Sequence, residues 1–151
     1  MHDEGALVLS VLSSDRLHAT TVSIGGQGVL LEGPSGIGKS DLALRLIDRG
    51  AMLVSDDQTI VVRSGTRLLA HPPASIAGRI EVRGLGIIVM PYVVDIPIAL
   101  LVRLGSQVPR MPEQEARRIA GIDIPVLLLE PLQASAPLKV ELALKHGILA
   151  A

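Results

Sequence analysis

The chain has 151 residues, enough for one domain that buries roughly 70% of the surface its unfolded form exposes, so folding requires neither a disulfide nor a structural metal. Apolar residues make up 48% of it, yet Phe and Trp are absent and Tyr92 is the single tyrosine, which argues against a single-stranded nucleic-acid binder that stacks bases on aromatic rings. A formal charge of −1, with no basic run beyond Arg117-Arg118, lacks the footprint of a DNA or RNA binder, and zero Cys excludes thiol nucleophiles, thiolate metal sites and disulfides.

The N-terminal Met1-His2-Asp3-Glu4 has no basic region ahead of the apolar stretch Ala6 to Leu12, so a secretory signal is not expected. His18 to Ile24 is rich in β-branched residues and reads as a strand; Gly25-Gly26 supplies a hairpin turn, and Gly28 to Glu32 is the returning strand. That strand runs into Gly33. Leu42, Ala43, Leu46 and Ile47 then recur at helical spacing, Asp41 and Arg45 stand one turn apart, and Gly50 ends a helix over Ser40 to Arg49. Ala51 to Val54 reads as a buried strand ending at Ser55-Asp56-Asp57, followed by a hairpin of Thr59 to Arg63 and Arg67 to Ala70 around Ser64-Gly65-Thr66.

His71-Pro72-Pro73 to Gly78 is loop, Arg79 to Arg83 a short strand, and Gly84-Leu85-Gly86 a break before the strands Ile87 to Met90 and Ile96 to Val102. Gly84 to Val102 approaches membrane-spanning length, but Pro91, Asp95 and Pro97 divide it into buried strands, so a soluble, cytoplasmic protein is expected. Pro112 can open a helix over Glu113 to Ala120 with Gly121 as its stop, and Ile124 to Leu129 forms a late strand. Leu138, Val140, Leu142 and Leu144 alternate as in a strand, but Ser135 and Pro137 make a helix start, and a helix is expected. With no repeat or linker, residues 1 to 151 are read as a single domain without a separate N-terminal one.

Gly33-Pro34-Ser35-Gly36-Ile37-Gly38-Lys39-Ser40 matches the Walker A pattern G-x-x-x-x-G-K-[ST] in the strand-loop-helix context that the motif needs. Backbone N–H groups and the helix N-terminus of such a P-loop form a nest for phosphates, Lys39 neutralises β/γ charge, and the Ser40 hydroxyl can ligate Mg²⁺. Asp56-Asp57, at the end of the next strand, can hold Mg²⁺ or orient an attacking hydroxyl, and can also be a solvated turn. His18 by itself reads as a packing residue. In Ile80-Glu81-Val82-Arg83, alternation puts Glu81 and Arg83 on one face, where a surface ion pair is the plain reading. His2, His71 and His146 lack metal-ligand spacing.

Together, His18, the P-loop through Ser40, Asp56-Asp57 and the stretch Ile80 to Val89 resemble the HPr kinase/phosphorylase family in identity, order and spacing, over roughly half the chain. The resemblance is to short members made of the catalytic domain alone. It implies an α/β fold, a P-loop kinase domain of the HPr kinase/phosphoenolpyruvate carboxykinase-like type, with a mixed central sheet and flanking helices, assembled as a homohexamer. It also implies an ATP-dependent serine kinase acting on the phosphocarrier protein HPr, a regulator of the phosphotransferase system, with phosphorolysis by inorganic phosphate as the reverse reaction. ATP phosphates would lie on Gly33 to Ser40, with His18, Lys39, Asp56 and Arg83 in the site, Asp57 as proton acceptor, and Ser40 and Glu81 holding Mg²⁺.

Two departures stand against the longer members. They carry an arginine-bearing loop soon after the signature, where this chain has Met90-Pro91-Tyr92-Val93-Val94-Asp95. They also carry a basic, glycine-containing segment near the C-terminal helix, where this chain has Gln133-Ala134-Ser135-Ala136-Pro137. Kinase chemistry is therefore better supported than phosphorylase chemistry. A P-loop kinase or carboxykinase-like enzyme for a small metabolite, or a non-catalytic nucleotide sensor, are the alternatives, since a P-loop reports phosphate and not the acceptor.

Overall fold

The computed structural model describes residues 14 to 147; the N-terminal apolar stretch and His2 lie outside them. In chain order the elements are β1 (Ser14–Leu17), β2 (Ala19–Ile24), β3 (Gln27–Glu32), α1 (Lys39–Asp48), β4 (Met52–Ser55), β5 (Thr59–Ser64), β6 (Arg67–His71), β7 (Arg79–Val82), β8 (Gly86–Val89), β9 (Ile96–Leu104), β10 (Glu115–Ile119), β11 (Ile122–Leu129) and α2 (Ala136–His146).

The principal sheet runs β1-β5-β6-β9-β3-β2-β4, with β11 also on β9 and β10 on β11. One edge of β9 carries β3, parallel to it. The other edge is shared. Its start pairs antiparallel with β6 at Ile96 and Pro97, and its end pairs parallel with β11 from Leu101 to Leu104. The strands β3, β9 and β11 therefore point the same way, and their carboxyl ends lie side by side at Glu32, Leu104 and Leu129. In open α/β sheets that is the edge where ligands bind.

Side-chain alternation divides the apolar residues between two faces. Val29, Leu31, Leu100, Val102 and Leu129 pack with Leu42, Ala43 and Leu46 of α1 and with Ala136 and Val140 of α2. Leu30, Leu101, Ile124 and Val126 face the other way, onto Leu17, Val61, Leu68 and Ala70 of the strands that continue the sheet. Burying each leucine contributes about 1.5–3 kcal/mol. The two helices are also joined at their surfaces, where Arg49 makes a double contact with Glu141 (2.8 and 3.1 Å). That hydrogen bond and charge hold the Arg49 pKa above its ordinary value.

Most strands and both helices stand within a residue or two of the positions read from the sequence. The Gly25-Gly26 turn has φ of 59° and 83°, the left-handed pair that a two-residue hairpin requires. The segment 113 to 120 is different. Instead of a helix it forms β10, paired antiparallel with β11. Ala120 and Gly121, at φ 49° and 82°, make a second two-residue hairpin turn, so the glycine read as a helix stop turns a hairpin. Helix propensity gives way to pairing across the strands: Arg118 meets Asp123 at 3.3 Å, Glu115 meets Arg103, Arg117 meets Glu32, and Ile119 becomes buried. The short strand read as ending at Arg83 ends at Val82, and Arg83 lies in the turn that follows. Among the described residues no helix is long and apolar enough to cross a membrane.

Candidate active site

At the carboxyl end of β3 the chain turns sharply, and the glycines there have distinct tasks. A Cβ on Gly33 would stand 2.9 Å from Ile37 and 3.3 Å from Leu104, so the loop can only leave the sheet there without a side chain. Gly36 and Gly38 have φ of 83° and 115°, a region that other residues enter at a cost. Gly38 opens α1, and no side chain caps that helix start. Its first N–H groups are left for a ligand, at the positive end of the helix dipole. Lys39 is 6% exposed, and its ammonium reaches back into the loop to the carbonyl oxygens of Gly33 (2.7 Å) and Pro34 (3.3 Å).

Beside the loop lies a carboxylate with several donors. Asp56, 7% exposed at the end of β4, accepts from the Ser40 hydroxyl (2.7 Å) and the Thr20 hydroxyl (3.0 Å) on one oxygen, and from the Glu81 N–H (2.9 Å) on the other. A buried carboxylate needs such partners. Three elements, α1, β2 and β7, are thereby tied to one side chain. The neighbouring Asp57 N–H donates to the Thr20 hydroxyl oxygen (3.0 Å), so Thr20 touches both aspartates.

Asp57 has φ 66°, and the Gln58 N–H donates to the Asp56 carbonyl (2.7 Å) to close a three-residue turn around it. Left-handed geometry at a side-chain-bearing residue is uncommon, and Asp is among those that tolerate it. The turn presents the Asp57 carboxylate to solvent, where Oδ1 lies 2.8 Å from His18 Nε2. The side chains are half or more exposed, at 51% for His18 and 60% for Asp57. His18 occupies the single-residue break between β1 and β2 rather than a strand position.

Glu81 enters the site through its backbone N–H, and its side chain is exposed. It makes no ion pair with Arg83 among the described residues, so the surface-pair reading does not apply. Arg83 lies in the turn with Gly84 (φ 87°) between β7 and β8. The structure thus brings together His18, Lys39, Ser40, Asp56, Asp57 and the backbone of Glu81, and Arg83 makes no hydrogen bond or ion pair with them among the described residues. Sequence reasoning missed Thr20. It was visible only as one β-branched residue of a strand, and nothing in its neighbours signals a hydroxyl turned onto the carboxylate of Asp56 and the backbone N–H of Asp57, 36 and 37 residues away.

The oxygens of Ser40 and Asp56 are hard donors suited to Mg²⁺. Their 2.7 Å separation fits two neighbouring ligands of a metal beside the loop, and the Glu81 backbone, tied to the same carboxylate through its N–H, brings that residue alongside. The uncapped helix start and the Lys39 ammonium fit a polyphosphate.

Known proteins resemble this chain in sequence and in fold. The family model described as the HPr serine kinase C-terminal domain matches residues 10 to 94. An HPr kinase/phosphorylase of Clostridium tetani is 47% identical over 76 residues, covering 50% of this chain and 25% of its own. One of Mycoplasma genitalium is 48% identical over 73 residues, covering 48% and 24%. The chain thus spans about a quarter of the length of these curated relatives. Among solved structures, the Hpr(Ser) kinase/phosphatase from Coxiella burnetii superposes with a TM-score of 0.76 at 31% identity, over 87% of this chain and 94% of that one. With the family model covering more than half of its residues and a solved relative matched along most of both chains, this chain belongs to the HPr serine kinase C-terminal domain family.

Proposed function

We propose that this domain transfers the γ-phosphoryl group of ATP to a serine of an HPr-type phosphocarrier protein, with Mg²⁺ as the metal. The observation that carries the reading is the Asp56 carboxylate, which links the P-loop serine, the signature strand and the turn bearing Asp57 into one site.

In this reading the phosphates rest on the loop Gly33 to Ser40 and the N–H groups that open α1, and Lys39 leaves the Gly33 and Pro34 carbonyls for their β/γ oxygens. Ser40 and Glu81 would hold the metal with Asp56 beside them, and when bound it would supply charge neutralisation for the transferring phosphoryl group. Asp57 Oδ2 accepts the proton of the serine hydroxyl while the serine oxygen bonds to phosphorus and the bridging oxygen leaves with ADP. His18, on Oδ1 of the same carboxylate, fixes its direction. Arg83 is assigned to phosphate contact only once the turn bearing it meets substrate. In the reverse direction inorganic phosphate accepts the seryl phosphoryl group and Asp57 returns the proton. Control of the phosphotransferase system, a cytoplasmic location and a homohexamer complete the proposal.

The test is transfer of label from [γ-³²P]ATP. The domain with Mg²⁺ is incubated with HPr-type protein, with its serine-to-alanine variant, and with a metabolite panel. Label on the serine of HPr supports the reading, and its loss in Lys39→Ala assigns the activity to this site. Label on a metabolite instead would move the enzyme to the small-molecule kinases, and nucleotide binding without transfer to any acceptor would make it a sensor.

A further inference from the structure

A phosphate loop holds the polyphosphate and leaves open which surface receives the nucleoside. The segment between β11 and α2 lies directly against the loop: Pro131 carbons stand 3.6 and 3.8 Å from where a Cβ on Gly38 would be. This segment is fastened in place from several sides. Arg45, on α1 itself, donates to the carbonyl oxygens of Pro131 and Gln133, the latter at 3.3 Å. The Gly105 N–H donates to the Leu129 carbonyl (3.0 Å), Gln133 donates to Glu130 (2.8 Å), and Lys139 donates to Gln133 (2.7 Å). Within it Leu132 is 83% exposed. An apolar side chain is thus left in water next to the phosphate loop, on a segment that the helix following that loop holds still.

The composition sharpens the point. A purine presents two apolar faces, and covering them removes that surface from water. Phe and Trp are absent, and the single aromatic ring, that of Tyr92, lies beside Gly78, 3.0 Å from where a Cβ there would stand. An exposed aliphatic side chain can supply that cover. We infer that the segment 130 to 133 is the nucleoside wall of the site, with Leu132 covering the base and Arg45 as the positioning residue that keeps the wall against Gly38. The inference rests on reading Gly33 to Ser40 as the phosphate site, and it adds the residues that distinguish a nucleotide from a bare polyphosphate.

The experiment titrates the full chain, with Mg²⁺, by calorimetry against ATP and against inorganic tripolyphosphate, which lacks the nucleoside. Leu132→Ser is expected to weaken ATP about tenfold while tripolyphosphate stays within about twofold, and Leu132→Met to restore ATP. Arg45→Ala should shift the ATP to tripolyphosphate ratio in the same direction, a change that general loosening would not produce. Unchanged ATP affinity in Leu132→Ser, equal weakening of both ligands, or wild-type protein that binds both equally tightly would each overturn the wall while leaving the phosphate site standing. Binding of neither ligand to wild-type protein would remove the phosphate site and the wall together.

Discussion

His18 Nε2 and Asp57 Oδ1 meet at 2.8 Å, each from a place where regular structure is interrupted: His18 between β1 and β2, Asp57 in the turn between β4 and β5. Two interruptions that coincide in space and bring a histidine onto a carboxylate orient that carboxylate without burying it. Asp57→Asn is therefore expected to lower transfer by ~10²–10⁴ through loss of the base, with ATP affinity within about twofold. Asn also tolerates the left-handed turn, so folding is preserved. Steady-state kinetics checks this, and transfer that survives in Asp57→Asn but disappears in Asp56→Asn would exchange the two roles.

Asp56 is the structural counterpart. Removing its carboxylate in Asp56→Ala leaves the hydroxyls of Thr20 and Ser40 and the Glu81 N–H without their acceptor. The expected loss is about 1–3 kcal/mol, read from urea unfolding. An unshifted unfolding midpoint would mean that these donors find other partners and that Asp56 does not hold the site together.

Glu81→Gln keeps the backbone N–H that Asp56 accepts from, and so keeps the strand in place. A neutral amide oxygen is a weaker ligand for a hard dication, and the Mg²⁺ concentration for half-maximal transfer is expected to rise several-fold. If the Mg²⁺ titration overlays that of wild type, the Glu81 side chain is not a ligand.

Phosphorolysis requires inorganic phosphate to be held without the tether of a nucleotide, and that calls for cations outside the phosphate loop. The arginines beside the end of β3 are already matched: Arg103 lies on Glu32 (3.3 Å) and Glu115, and Arg117 lies on Glu32. Neither departure from the longer relatives, Met90 to Asp95 or Gln133 to Pro137, contains Lys or Arg. The ratio of pyrophosphate-forming dephosphorylation to forward transfer is expected to fall below that of a full-length relative at matched Mg²⁺ and saturating phosphate. Equal ratios would show that the missing cations do not limit the reverse reaction.

Legibility in the sequence followed the locality of each signal. The hairpin at Gly25-Gly26, the P-loop and α1 are set by residues adjacent in the chain, and the pattern alone identified them. The helix read over 113 to 120 failed because its residues also suit a strand, and what decides is contact with Glu32 and Arg103 in neighbouring strands, which no local window contains. At the site the same division holds. Lys39 and Ser40 follow from a motif, whereas the partnership of Thr20 with both aspartates exists only after β2 and β4 have paired.

The shared edge of β9 has a consequence for how the domain is made. His18, the phosphate loop, both aspartates and Glu81 all precede residue 94, where the match to the family model ends, yet in the strand ladder β3 and β6 meet through β9. The candidate residues named from His18 to Glu81 thus leave the ribosome before the strand that completes the ladder. A fragment ending at residue 95 keeps the full set of reactive residues with one edge of β3 open, and an unpaired apolar edge of that kind favours association over folding. Such a fragment is expected to give no cooperative unfolding transition by circular dichroism and to regain one when β9 to α2 is restored. The candidate site and the strand that completes its sheet are written in different stretches of the chain.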